Sequence, residues 1–113
     1  MRGLSAILIC LAVPVSAGPW DGLYRPAGSP DWNCLDIGMD GGALQFEDDI
    51  FKGVETECLL ANPVNVREMD AILYNMRCTG EGTTSAERAM VMRTPQGVAL
   101  IRDGSIARFA RCE

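Results

Sequence analysis

The chain has 113 residues, ten basic and fifteen acidic, a net charge of −5, and no histidine. The acidic balance makes nucleic acid and anionic membranes poor partners. The missing imidazole removes histidine-based triads, histidine general bases and the common zinc sites.

Residues 1–17 read as a secretory signal. Arg2 supplies the basic start, residues 4–15 form an apolar run broken only by Ser5 and Pro14, and Val15-Ser16-Ala17 offers a signal-peptidase site. The run is too short for a bilayer, which takes roughly 20 apolar residues. A lipoprotein reading on Cys10 fails for want of a small residue beside the cysteine. Cleavage would remove Arg2 and Cys10. That leaves residues 18–113 as a single domain with four cysteines, nine basic and fifteen acidic residues, and a net charge of −6. A core of this size stabilises only marginally, and exported domains commonly add disulfides.

Beyond the signal the period is mostly two, which predicts strands. Residues 22–25 read as a first strand, and 26–33 as a loop rich in Pro, Gly, Ser and Asp. Residues 34–39 alternate and end at Asp40-Gly41-Gly42, a hairpin signal, with 43–46 returning. After a turn at residues 47–49, residues 50–60 read as one longer strand with Gly53 as a bulge. Residues 62–65 interrupt the pattern. Residues 70–78 resume it, with a helix over 66–74 as the competing reading. Residues 80–84 form a loop, 86–93 a strand and 95–97 a turn. Strands at 98–101 and 106–112 then flank Asp103-Gly104. The whole predicts an all-β domain: a small antiparallel meander or barrel of about seven or eight short strands, with a two-sheet sandwich as the alternative.

Cys34, Cys58, Cys78 and Cys112 allow three pairings. Their order along a meander favours Cys58–Cys78 and Cys34–Cys112, the second tying an early strand to the last. Wide spacing and the absence of Cys-x-x-Cys favour structural disulfides over redox or metal chemistry.

The acidity is concentrated before residue 61, and the expected account is that the two halves pair across the sheet. Lys52, the single lysine, sits beside acidic turns, where a surface counter-charge is its simplest role. The carboxylates Asp48, Asp49, Glu55 and Glu57 offer a glycosidase-like set, but so small a domain leaves little room for a sugar cleft. Asp36, Asp40, Gly41 and Glu47 follow EF-hand spacing, with Gly42 offering a carbonyl. Gly38 stands at the third ligand position, and strands rather than helices flank the loop. A hairpin is therefore the main reading, and weak calcium binding the alternative.

Gly18-Pro19-Trp20, with Tyr24 following and Arg108 or Arg111 near the end, resembles the lipocalin arrangement of a Gly-x-Trp packed on a last-strand arginine. The resemblance implies a closed barrel with Trp20 plugging one end. The leader, early tryptophan, four cysteines and Gly80-Glu81-Gly82 resemble small exported four-cysteine bacterial proteins of unassigned function. The chain also loosely resembles the periplasmic inhibitors of animal-type lysozyme. Its nearest segment to their inhibitory loop, residues 84–88, lacks the glycine and tyrosine, so no inhibitory residue carries over. The expected function is a non-enzymatic periplasmic or secreted binding or accessory module, without a cofactor or catalytic residue. Its expected partner is a protein or a cell-envelope component. A lysozyme inhibitor and a weak calcium-binding module are the alternatives.

Overall fold

The computed structural model describes residues 18–113, so the signal reading of residues 1–17 lies outside the described residues. Among the described residues eight strands run in chain order around a closed antiparallel barrel: β1 (Gly22–Pro26), β2 (Leu44–Glu47), β3 (Ile50–Gly53), β4 (Thr56–Asn65), β5 (Ala71–Gly80), β6 (Thr83–Arg93), β7 (Gly97–Arg102) and β8 (Ser105–Arg111). The β1–β8 ladder closes the ring through Tyr24–Arg111, Arg25–Ala110 and Pro26–Phe109. Closure leaves no unpaired sheet edge. The segment read as either strand or helix around residue 70 is strand from Ala71 onward. Among the described residues no helix is long and apolar enough to cross a membrane.

Alternation along the strands sends one set of side chains inward, and the ladder registers align them into rows around the barrel. One row runs Phe46, Phe51, Cys58, Cys78 and Ser85, and another runs Val91, Leu100 and Ala107. Trp20, Tyr24, Phe46, Phe51, Leu60, Tyr74, Met76, Val91, Val98 and Phe109 are buried in one core cluster. Phe46 packs against Tyr24 edge-on at 5.5 Å between centroids, and Phe51 stacks on Phe109 at 5.7 Å. Among the described residues no polar or charged residue is buried, and no buried side-chain nitrogen or oxygen lacks a partner. The interior is therefore a packed hydrophobic core.

Two disulfides brace the ring, Cys34–Cys112 and Cys58–Cys78. Cys58 and Cys78 face each other directly across the β4–β5 ladder. Cys34–Cys112 fastens the long β1–β2 connection to the residue that follows β8, reinforcing the seam where the barrel closes.

Three local expectations change. Residues 34–39 are not a strand, although Ile37 makes an isolated bridge to Ala43. The Asn33 side chain accepts hydrogen bonds from the backbone N–H of Leu35 and Asp36, which folds the segment into a turn. Cys34 (φ 60°) and Gly38 (φ 84°) also leave the extended region. Residues 50–60 are two strands, not one bulged strand. The chain reverses at Val54-Glu55, with Glu55 in the left-handed region (φ 50°). Gly53 pairs with Thr56 instead of bulging. Residues 62–65, read as an interruption, are the outer end of β4. The irregularity is a shift of register between Ala61 and Val64, where Pro63 owes the ladder no N–H.

The charge pairing also differs. Among the described residues the two ion pairs are Arg93–Asp70 at 2.9 Å and Arg102–Glu87 at 2.8 Å, all four groups lying after residue 61. The acidic first half is solvated instead of neutralised across the sheet. Arg102 donates through two nitrogens to both Glu87 oxygens, which holds the Glu87 carboxyl below its usual range. Both groups remain partly exposed, so the pair contributes little to stability.

Candidate functional site

Antiparallel alternation gathers the start of β1, the end of β6, the start of β7 and the end of β8 at one end of the barrel. Trp20 closes that end, 1% exposed and just ahead of β1. Its indole N–H donates to the Tyr74 hydroxyl at 2.9 Å, and the Tyr24 hydroxyl donates to the Trp20 carbonyl at 2.6 Å. Both buried aromatic polar groups are thereby satisfied. Asp21 secures the same corner: its carboxylate accepts from the Gly18 and Asp48 backbone N–H groups, joining the start of the domain to the β2–β3 turn.

At the same end lies a pocket of about 410 Å³ lined by Arg25, Arg93, Arg111, Thr94, Gln96 and Glu113, with Pro95, Gly97 and Ala110. Arg93 extends from the end of β6 and lies 5.2 Å above the Trp20 ring. Its Nε donates to Asp70 at 2.9 Å and its Nη2 to the Pro19 carbonyl at 2.6 Å. Arg111 lies 5.4 Å above the Tyr24 ring. A Cβ at Gly22 would come within 3.3 Å of Arg111 Nη1, a close contact that a shift of a few tenths of an ångström at the guanidinium would relieve. Arg25 reaches from β1 to the Arg111 carbonyl at 3.4 Å. Gly97 permits the tight β7–β8 approach beneath the pocket, where any Cβ would overlap the Phe109 carbonyl.

Of the lipocalin-like arrangement, the closed barrel and the buried Trp20 are present, but the pairing of that tryptophan with a last-strand arginine is not. The arginine on Trp20 is Arg93 from β6, and the last-strand arginine sits on Tyr24. Arg108 takes part in neither stack; its backbone carbonyl accepts from the Ala27 N–H. Arg25 and Arg93 escaped sequence reading because no local motif joins residues 25, 93 and 111. The available signal was an arginine immediately before the Thr94–Gly97 turn, and it acquires meaning only once strand direction places that turn beside Trp20.

The tyrosines register this environment. Burial pushes the Tyr24 hydroxyl above its ordinary value, against the pull of Arg111 and Arg93. Burial likewise raises Tyr74, opposed by the Trp20 N–H. Ultraviolet titration should show both tyrosines ionising later than free tyrosine. A raised folded-state value means stability intact below the unfolded value of about 10 and lost as pH climbs beyond it. In Arg111→Gln, Tyr24 should ionise later still, because one neighbouring positive charge is gone.

The calcium reading finds no assembled site. Among the described residues no group of three or more His, Cys, Asp or Glu side chains is placed to hold a metal. Asp36 accepts from the Asn33 side chain, and the Gly42 carbonyl is taken by the Cys34 N–H. Asp40 stands in the β1–β2 connection, and Glu47 is exposed at the end of β2. A turn and a strand, instead of two helices, flank these residues, so nothing converges their carboxylates. Glu55 and Glu81 line a second concavity of about 360 Å³ at the opposite end, with Thr56, Thr83 and Ser85. No protein family, curated protein or solved structure matches the chain.

Proposed function

We propose that the protein is an exported, non-enzymatic binding or accessory module that works through the outside of its barrel in the periplasm or extracellular space. The filled interior carries this reading. An eight-stranded barrel can hold one small ligand or be filled by its own side chains, and here aromatic and aliphatic residues occupy the inside. Recognition is thereby directed to the outer surface and to the rims.

Three further observations support it. Two disulfides suit an oxidising compartment. Residues 1–17 have the form of a cleavable signal. The outward positions include exposed Glu57, Asn75, Arg77 and Arg88 over an apolar inside, the reverse of a membrane-spanning barrel. The lysozyme-inhibitor alternative gains nothing from the fold, because residues 84–88 lie within β6 instead of a protruding loop.

The test has two arms. Fused to an alkaline phosphatase that is active only outside the cytoplasm, the full chain should give activity, and deletion of residues 2–17 should abolish it. N-terminal sequencing of the exported product should begin at Gly18. The disulfide-intact protein should leave the fluorescence of an uncharged apolar probe such as N-phenyl-1-naphthylamine unchanged. Activity retained in the deletion, or stoichiometric uptake of the probe, would refute the proposal.

A further inference from the structure

We infer that the arginine-lined pocket at the Trp20 end is a binding site for an oxyanion, a carboxylate or a phosphate. This rests on the reading of the protein as a surface-acting binding module. In a chain of net charge −5, three of the guanidinium groups line one pocket. Its volume, about 410 Å³, is in the ordinary range for small-molecule sites.

Two features separate it from a chance cluster of surface arginines. The first is preorganisation. Arg93 is held at Nε, at Nη2 and on the Trp20 face, while Arg111 lies on the Tyr24 face. The rings beneath are part of the buried core. Arg93 therefore has less side-chain entropy to lose on binding, and stacking leaves the edges of a guanidinium fork open.

The second is uncommitted donors. Among the described residues neither Arg25 nor Arg111 has a carboxylate within 4.0 Å. Arg93 has Nη1 to spare after its bonds to Asp70 and Pro19. Glu113 lines the pocket yet forms no ion pair with any of the three. Forked guanidinium donors match planar carboxylates and tetrahedral phosphates, and such charge-assisted bonds are the stronger kind. Thr94 and Gln96 add polar contacts at the rim.

Isothermal titration calorimetry of the disulfide-intact protein tests this with three probes at matched ionic strength: inorganic phosphate, an N-acetylated dipeptide with a free carboxylate, and the same dipeptide amidated. Sodium chloride is the control. Saturable one-to-one binding of phosphate or of the free-acid peptide, with the amidated peptide silent, is the expected result, and it identifies which oxyanion is preferred. Arg111→Gln and Arg25→Gln should each weaken binding about tenfold. Arg77→Gln, on the outer face of β5, should not change it. Thermal melts of each variant confirm that it is folded.

No binding above the chloride control by either anion overturns the inference, as does binding that both pocket variants leave untouched. Neither result bears on export or on the closed interior, so the parent reading stands or falls by its own experiments.

Discussion

Replacing both Cys34 and Cys112 with alanine should lower the unfolding free energy by about 4–5 kcal/mol, the value expected for a bridge closing so long a loop. The bridge spans 78 residues. A domain of this size has a total stability of about 5–15 kcal/mol, so the loss is a large fraction of the whole. The native-state consequence is local. β1 is five residues long and holds β8 and β2 through three registered pairs each. The disulfide pins the connection after β1 to the residue after β8. Without it the barrel should open first at this seam. Urea unfolding followed by tryptophan fluorescence measures the total. Hydrogen exchange should show protection falling first at Ala27 and Cys112, whose N–H groups bond the Arg108 and Leu23 carbonyls across the seam. A loss below about 1 kcal/mol, or uniform protection, would show that the ladder alone closes the ring.

Trp20→Ala should cost about 3–5 kcal/mol, as large-to-small changes at packed aromatic sites do. The mechanism is composite. The ring is 1% exposed within the core cluster, so its removal leaves a cavity at the closed end. The Tyr74 hydroxyl loses the indole donor. Arg93 loses the surface on which it stacks. Trp20→Phe separates these effects: it keeps most of the packing and loses the Tyr74 bond, and should cost about 1–2 kcal/mol. Trp32 supplies the comparison. It is half-buried and packs against the edge of the same cluster, so Trp32→Ala should cost clearly less. Equal losses at the two tryptophans would remove Trp20 from its role as the plug.

Much of the fold was legible because strands declare themselves locally. Period-two alternation over residues 98–101 and 106–112, split by Asp103-Gly104, needed no tertiary knowledge to be read as a hairpin. The errors lie where a turn lacks turn residues or where turn residues do not make a turn. Val54-Glu55 reverses the chain with neither Gly, Asn nor Pro at its tip. Glu55 accepts a left-handed backbone, and its N–H bonds the Gly38 carbonyl. Conversely, Asn62 and Pro63 look like a loop and form a bulge inside β4, because the neighbouring strand β5 continues to pair beyond them.

The disulfide pairing was legible for a topological reason. In a meander, neighbours in sequence are neighbours in space, which brings Cys58 opposite Cys78. Closure then brings the chain's two ends together, which makes Cys34 and Cys112 partners. The candidate site was far less legible. Arg25, Arg93 and Arg111 are scattered along the chain, and nothing local marks them as a group.

By itself, then, the sequence determined the all-β class, the four cysteines beyond residue 17, the missing histidine and the acidic charge, because composition and period-two patterning are local properties. Tertiary structure decided for the barrel over the open meander and the sandwich, and it alone decided that Arg93 instead of a last-strand arginine lies on Trp20. The physical reason is strand direction. Alternating up and down around a barrel assigns each loop to one of two ends, and only that assignment turns three distant arginines into one pocket.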